Sequence, residues 1–321
     1  MKPSMIAIDW GSTSARAYLL DKQGKPFSTR NEPLGIRNVP QNGFDKALNE
    51  LCGAWLESYA DLPLIAAGMI GSRNGWRDVP YVVCPAGVST LARGVATVET
   101  ASGRLLHIVP GVKYTAASGL SDLMRGEETQ IVGALPADSV GTRLFLLPGT
   151  HSKWVMVENR EINWFRTFIT GELFDVLRAH TLLCKVNNDH ADDGVNTSEE
   201  VFSDGMELGL NAKFKGGSAM SRLFSVRTRG LIDGYTEAQQ QQFLSGLLIG
   251  AEIADGHGIL EKRGVALRHA TLIGDLGLCE LYREGLVRRG FTCDIYQLPA
   301  AASGLWTIAN ATSSHLGLAH A

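Results

Sequence analysis

Ile6-Ala7-Ile8-Asp9-Trp10-Gly11-Ser12-Thr13-Ser14-Ala15-Arg16-Ala17-Tyr18-Leu19-Leu20-Asp21 is the stretch whose reading decides the fold. An apolar run ends on one carboxylate, small residues follow, and a second apolar run closes it. This reads as two antiparallel strands whose turn, Gly11, Ser12 and Thr13, is small enough to bring backbone N–H groups and hydroxyls against a phosphate. Asp9 sits at the strand end facing that turn, where a carboxylate can hold Mg2+ through water.

Working outward, Leu144 to Val157 repeats the shape around Gly149, Thr150, His151, Ser152 and Lys153. Lys153 adds a positive charge to a turn whose N–H groups can meet a phosphate. A repeated strand, phosphate turn, strand unit implies two similar α/β domains clamping one nucleotide. It is not a Walker A loop, since no Gly-x-x-x-x-Gly-Lys-Ser/Thr string occurs in the chain.

At 321 residues the chain is long enough for two domains that each bury a core. A net charge of −3 gives no electrostatic case for nucleic acid or an anionic membrane as partner. No apolar run approaches the ~20 residues of a membrane-spanning helix, and Met1-Lys2-Pro3-Ser4 leads straight into a strand without a signal-peptide pattern. The five cysteines are scattered without Cys-x-x-Cys spacing, which suits a reducing compartment. A cytoplasmic protein is expected. His180, Cys184 and His190 lack a fourth ligand at a recognised zinc spacing. Oligomeric state is left open, a homo-oligomer being one option.

Between the hairpins, Phe44 to Tyr59 carries apolar residues at helical period, and Pro63 to Ala67 reads as a buried strand. The loop Gly68 to Trp76 leaves that strand at its carboxyl end, where open α/β sheets bind ligands. There Arg73 can grip a substrate carboxylate with two parallel hydrogen bonds, and Asn74 and Trp76 can bound a sugar-sized pocket. The plainer reading of the same loop is a solvated arginine and a core tryptophan. Ser121 to Leu135 reads as a turn followed by a small-residue helix, the connector between domains. Asp122 serves as its N-cap, and Glu127 and Glu128 are favourable charges at its start. Each is also a candidate to take a proton from an attacking hydroxyl.

Farther on, Trp164 to Ile169 reads as a strand, Thr170 to Arg178 as a helix capped by Thr170, and Asn187 to Glu200 as a solvated polar loop. Leu223 to Leu231 suits a helix end or a strand. Phe243 to Ile253 is a glycine-containing helix packed on a close neighbour. A strand then turns at Gly274 into a helix, and backbone there can approach a flat adenine. Pro299 to Leu318 reads as an Ala-rich helix.

Several strings carry a resemblance. They are Ile8 to Ser14, Ala67 to Trp76, Met124-Arg125-Gly126-Glu127-Glu128-Thr129-Gln130, Pro148-Gly149-Thr150-His151-Ser152-Lys153-Trp154, Thr170 to Phe174, and Leu244 to Gly250. Together they resemble the 2-dehydro-3-deoxygalactonokinase family of the actin-like ATPase superfamily of sugar kinases. The resemblance implies two actin-like (ribonuclease H-like) domains with a central interdomain cleft. It implies an N-terminal substrate domain over 1–118, a connector over 119–135, an ATP domain over 136–302, and a C-terminal helix over 303–319 that completes the first domain. It further implies ATP and Mg2+ as cofactors and phosphorylation of the sugar acid 2-dehydro-3-deoxy-D-galactonate at its terminal hydroxyl. Pro148-Gly149-Thr150 departs from the superfamily's Asp-Gly-Gly, which leaves Asp9 as the main candidate for the metal. The alternatives are a kinase of another sugar or sugar acid, a phosphohydrolase of the exopolyphosphatase type, and, ranked last, a nucleotide-dependent sugar sensor.

Overall fold

The computed structural model describes residues 2–185, 197–210 and 218–316. The chain divides into unit 1, comprising Met1–Thr142, Val155–Phe165 and Tyr296–Ala321, and unit 2, comprising Arg143–Trp154 and Arg166–Ile295.

Unit 1 begins with β1 (Pro3–Trp10), β2 (Ala15–Asp21) and β3 (Pro26–Glu32), followed by α1 (Phe44–Ser58) and β4 (Leu64–Gly68). Next come β5 (Val82–Val83), α2 (Val88–Arg93), β6 (Ala96–Glu99), β7 (Leu105–Ile108), β8 (Val112–Thr115), β9 (Ser121–Met124) and α3 (Glu127–Ala134). The main sheet has six strands in the order β3-β2-β1-β4-β7-β6. β1 pairs antiparallel with β2 and parallel with β4. Alternation along β1 divides its side chains between two faces. Ile6, Ile8 and Trp10 join the core with Phe44, Leu48, Leu51 and Trp55 of α1. Asp9 pairs across the strands with Arg16.

The remaining elements are β10 (Thr142–Leu147), β11 (Ser152–Glu158), β12 (Glu161–Phe168), α4 (Thr170–His180), α5 (Ser198–Leu210), α6 (Ala219–Arg222), α7 (Phe224–Ile232) and α8 (Glu237–Lys262). β13 (His269–Ile273), α9 (Leu276–Arg288), β14 (Thr292–Tyr296) and α10 (Ala300–Leu316) complete the chain. The second large sheet has the order β12-β11-β10-β13-β14, which repeats the order third, second, first, fourth of the opening sheet. The same hairpin-plus-parallel-strand plan therefore occurs twice.

In unit 2, α5 and α8 approach so closely that a Cβ on Gly205 would lie 2.1 Å from the Phe243 carbonyl oxygen, and one on Gly246 2.1 Å from that of Phe202. This is the close neighbour expected for the glycine-containing helix. A capping box of Thr236 and Gln239 starts α8. Its length and hydropathy would allow a membrane crossing, but 67% of its most apolar window is buried inside the unit, as in a core helix.

Four local expectations change. Asp122 lies in β9, paired with Tyr114 of β8, so it caps no helix. The helix begins after Gly126 instead. Thr170 is the first residue of α4 rather than its cap, a position held by Ile169. The polar stretch ends earlier than Glu200, because Ser198 already belongs to α5; residues 187–196, His190 included, lie outside the described residues. Of the two readings of Leu223 to Leu231 the helical one holds, with α7 beginning at Phe224 and Leu223 as its N-cap. Among the described residues no group of three His, Cys, Asp or Glu side chains could hold a metal, and all five cysteines are free thiols.

Candidate active site

In unit 1 the carboxyl end of β1 meets the start of α3. Gly68, at the end of β4, has φ +94°, and a Cβ on it would lie 2.7 Å from the Trp10 carbonyl oxygen and 3.5 Å from Asp9 Oδ1. Gly126 has φ +109°, and its Cβ would lie 3.3 Å from Gly68 Cα. Glycine at both positions lets three backbone segments crowd around Asp9. Burial pushes the Asp9 carboxyl up to about 6, Arg16 pulls against that shift, and Glu127 adds to it. Asp9 and Glu127 are thus electrostatic neighbours although remote in sequence.

The adjacent glutamates have different environments. Glu128 is fully buried, accepting from the Gly126 N–H at 2.7 Å and from the Thr129 hydroxyl at 2.9 Å. Burial, with the Glu127 charge beside it, pushes its carboxyl up to about 8. Glu127 is only partly buried and accepts from the Arg125 N–H at 3.0 Å. At neutral pH, then, Glu128 is largely a neutral acid, while Glu127 is the one of the two whose side chain reaches solvent. Asp122, in β9, accepts from the Leu123 N–H at 2.8 Å.

The first turn is stitched to the segment that follows β3. The carbonyls of Gly11, Ser12 and Thr13 accept from the N–H groups of Ile36, Arg37 and Gly35, and Trp10 Nε1 donates to Leu34 O at 2.7 Å. The Gly11 N–H closes the turn on the Ser14 carbonyl at 2.9 Å, and with those carbonyls engaged the turn offers the hydroxyls of Ser12 and Thr13 to a ligand.

On the loop after β4, Arg73 is 91% exposed, with Asp78 3.7 Å away. Asn74 is exposed, and Trp76 stacks on Phe44 at 5.9 Å and 15°, its ring committed to the core. The sequence reading passed over Arg125 as a separate residue. Its buried guanidinium lies over the Tyr81 ring at 4.2 Å and donates to Val79 O at 2.7 Å. It thereby braces the loop's far end against the start of α3. An arginine directly preceding Gly-Glu-Glu was the only signal.

In unit 2 the second turn, between β10 and β11, is held from several sides. Gly171 of α4 presses on it so closely that a Cβ would lie 2.5 Å from Gly149 O, and the Glu172 N–H donates to Thr150 O at 3.0 Å. Thr150 is exposed. His151 Nε2 and Glu172 Oε2 are 2.6 Å apart. Lys153 is buried and its Nζ donates to His151 O at 3.1 Å. Ser152 is buried as well, its Oγ 2.9 Å from the Tyr282 hydroxyl, so its side chain supports the turn from inside. Gly274 ends β13, where a Cβ would lie 3.2 Å from Pro148 O, and Asp275 caps α9 through the Leu278 N–H. The turn and the start of α9 are therefore adjacent.

Beneath that turn lies Glu252 of α8, another residue the sequence reading did not single out, because one carboxylate in an apolar helix resembles a solvated face. It accepts from Trp154 Nε1 at 2.9 Å and from the Tyr282 hydroxyl at 2.5 Å.

Comparison with known proteins agrees with this layout. The family model described as 2-keto-3-deoxy-galactonokinase matches residues 9–308. A protein of Escherichia coli (strain K12) named 2-dehydro-3-deoxygalactonokinase is 33% identical over 98% of this chain and 100% of its own length. A protein of Rhizobium meliloti (strain 1021) named a probable 2-dehydro-3-deoxygalactonokinase is 34% identical, over 94% of this chain and 97% of its own. A crystal structure of a protein from Sinorhizobium meliloti assigned as a 2-dehydro-3-deoxygalactonokinase superposes with a TM-score of 0.80 at 30% identity, covering 97% of this chain and 99% of that one. The activator of the 2-hydroxyisocaproyl-CoA dehydratase from Clostridium difficile, with bound ADPNP, shares the actin-like fold at a TM-score of 0.50 and 12% identity. A family match across both repeated hairpins, with near-complete mutual coverage by relatives above 30% identity, leads to one assignment: the chain belongs to the 2-keto-3-deoxy-galactonokinase family.

Proposed function

We propose that this chain is a cytoplasmic carbohydrate kinase that transfers the terminal phosphoryl group of ATP to the C6 hydroxyl of 2-dehydro-3-deoxy-D-galactonate. The relatives carry that activity in their names, and they align with this chain from end to end. Within the chain, the observation that supports phosphoryl transfer most is the close packing at Gly68 and Gly126 that brings the end of β1, with Asp9, to the start of α3, with Glu127, beside the first small-residue turn.

The residues divide by task. Gly149, Thr150 and Lys153 with Gly274 serve the nucleotide in unit 2, and Ser12 and Thr13 present hydroxyls to phosphate oxygens on a turn that Gly11 closes through Ser14. Ser152 and His151 support the second turn, since their side chains are already engaged by Tyr282 of α9 and Glu172 of α4. Arg73 takes the sugar-acid carboxylate and Asn74 a hydroxyl, while Trp76 fixes the loop on the core. Glu127 accepts the proton of the attacking hydroxyl as its oxygen bonds to the γ-phosphorus and the bond to the β,γ-bridging oxygen breaks, releasing ADP. Glu128 stays neutral and holds the Gly126 N–H, which sets where Glu127 projects.

Asp9 is a partly buried carboxylate at the mouth of the turn with a second carboxylate, Glu127, acting on it, which fits a hard divalent cation; Mg2+ binds through few carboxylates and keeps waters and phosphate oxygens as its other ligands. Mg2+ beside Asp9 would neutralise polyphosphate charge.

Product analysis tests the reading. Incubation with ATP and either the galacto or the gluco epimer of the sugar acid, followed by phosphorus NMR, is expected to give the 6-phosphate and ADP from the galacto form. Phosphate release without an acceptor would instead indicate a phosphohydrolase, and phosphorylation of a hexose alone would indicate a different sugar kinase.

A further inference from the structure

Unit 2 contains a buried polar network that the proton-transfer chemistry does not use. Glu252 is 4% exposed and lies mid-way along the apolar helix α8. One carboxylate oxygen accepts from the indole N–H of Trp154 at 2.9 Å and the other from the Tyr282 hydroxyl at 2.5 Å. The Tyr282 oxygen in turn lies 2.9 Å from Ser152 Oγ, at the foot of the second turn. Ser152 and Trp154 belong to β11, Tyr282 to α9, and Glu252 to α8. Glu252 also forms a wall of a cavity of about 540 Å³ that Thr170 and Leu173 of α4 line as well.

Burying a carboxylate in an apolar helix costs stability unless it is satisfied, and an apolar residue packed there would cost less. Here burial raises the Glu252 carboxyl above its ordinary range, opposed by hydrogen bonds from Thr170, Tyr282, Trp154 and Ser152. Thr170 begins α4, the helix whose Gly171 presses on the Gly149 carbonyl. Every partner of this carboxylate thus lies on, or next to, an element that holds the turn of Gly149 to Lys153. A group doing no more than filling space would need none of these polar partners.

We propose that Glu252, acting through Tyr282 and Ser152, is a positioning residue that sets the geometry of the Gly149–Lys153 turn for the nucleotide phosphates. The inference rests on the kinase reading above, with the turn as a phosphate ligand. Glu252 touches neither substrate; its effect passes through Ser152, whose hydroxyl orientation is fixed by the chain Glu252, Tyr282, Ser152. It therefore governs nucleotide affinity and leaves the sugar acid untouched, because misplacing phosphate donors by a fraction of an ångström weakens only the interactions they make.

The test uses the full chain and three variants. Tyr282→Phe removes one hydroxyl and leaves the Glu252–Trp154 bond in place; Ser152→Ala removes the other end of the relay; Glu252→Gln keeps shape while replacing an acceptor by a donor. ADP affinity is measured by calorimetry well below each melting temperature, with steady-state KM for ATP and for the sugar acid alongside. The expected result is a roughly tenfold or greater loss in ADP affinity and rise in ATP KM for each variant. The sugar-acid KM stays within about twofold, and the Tyr282→Phe/Ser152→Ala double variant is no worse than either single one, as for members of one network. A lowered melting temperature with unchanged ADP affinity overturns the proposal, as does a parallel rise in both KM values. Should Glu252→Gln fail to fold, Tyr282→Phe and Ser152→Ala decide the matter alone. Wild-type protein that binds no ADP would remove the kinase reading itself, an outcome separate from any difference among variants, and the proposal would fall with it.

Discussion

Glu127, on the first turn of α3, lies close enough to Asp9, at the end of β1, for its charge to raise the Asp9 carboxyl. Like charges brought together at the mouth of a small-residue turn weaken the fold, so their juxtaposition points to a task that needs them. The proposed task divides them: Asp9 for the cation, Glu127 for the proton.

Glu127→Gln should lower kcat by roughly 10²- to 10⁴-fold, the usual range for removing a positioned acid–base group, and Asp9→Asn, which takes away the cation's carboxylate, by roughly 10²- to 10³-fold. KM for the sugar acid should change by only a few-fold. Steady-state kinetics at saturating Mg2+ and ATP measure both quantities.

Glu128 makes stability fall with rising pH. Its folded value of about 8 lies above the ordinary 4.5, so the folded chain holds a proton that the unfolded chain has released. That contribution is complete below about 4.5 and is lost as pH climbs through 8, on the order of 5 kcal/mol across the window. Glu128→Gln should flatten this slope. Urea denaturation of both proteins at pH 5, 6.5 and 8, in metal-free buffer, should show the variant gaining on wild type as pH rises.

Gly68→Ala should destabilise by about 2–3 kcal/mol, because the added carbon meets the Trp10 carbonyl and the residue sits at φ +94°. The comparison is Gly103→Ala, also at positive φ (+78°) but with no atom within 4 Å of the added carbon. It should cost only the backbone term, about 1–2 kcal/mol. Thermal denaturation of the pair separates crowding from backbone strain.

Arg73→Ala should raise the sugar-acid KM tenfold or more while leaving kcat within about threefold, as expected for a carboxylate contact common to ground and transition states. Arg125→Met should raise the same KM indirectly and also lower the melting temperature, since it loses the Val79 carbonyl and the Tyr81 ring together. A kcat-to-KM split with parallel melting curves distinguishes the two arginines.

Much of the fold is legible where apolar periodicity and small-residue turns coincide. Both hairpins, the helix of Phe44 to Trp55 and the buried β4 follow from spacing alone, because each element has one face to bury. Ser121–Met124 was not readable as a strand: four residues carry too little alternation, and an aspartate ahead of acidic residues looks like a helix cap. Thr170 misled in the same way, as the chain enters α4 one residue earlier, at Ile169. In the candidate site, residue types were legible and their environments were not. Glu127 and Glu128 are alike in sequence, and only the closing of Glu128 against Gly126 and Thr129 separates it from the half-buried Glu127. Ser152 likewise reads as a phosphate ligand until Tyr282, far along the chain, is found against its hydroxyl.

ADP formation by the wild-type and Glu127→Gln proteins, with and without 2-dehydro-3-deoxy-D-galactonate, tests the central claim most directly. Wild type should release ADP rapidly only when the sugar acid is present, and the variant at least a hundredfold more slowly at undiminished ATP affinity. ADP release that ignores the sugar acid, or a variant as fast as wild type, would contradict it.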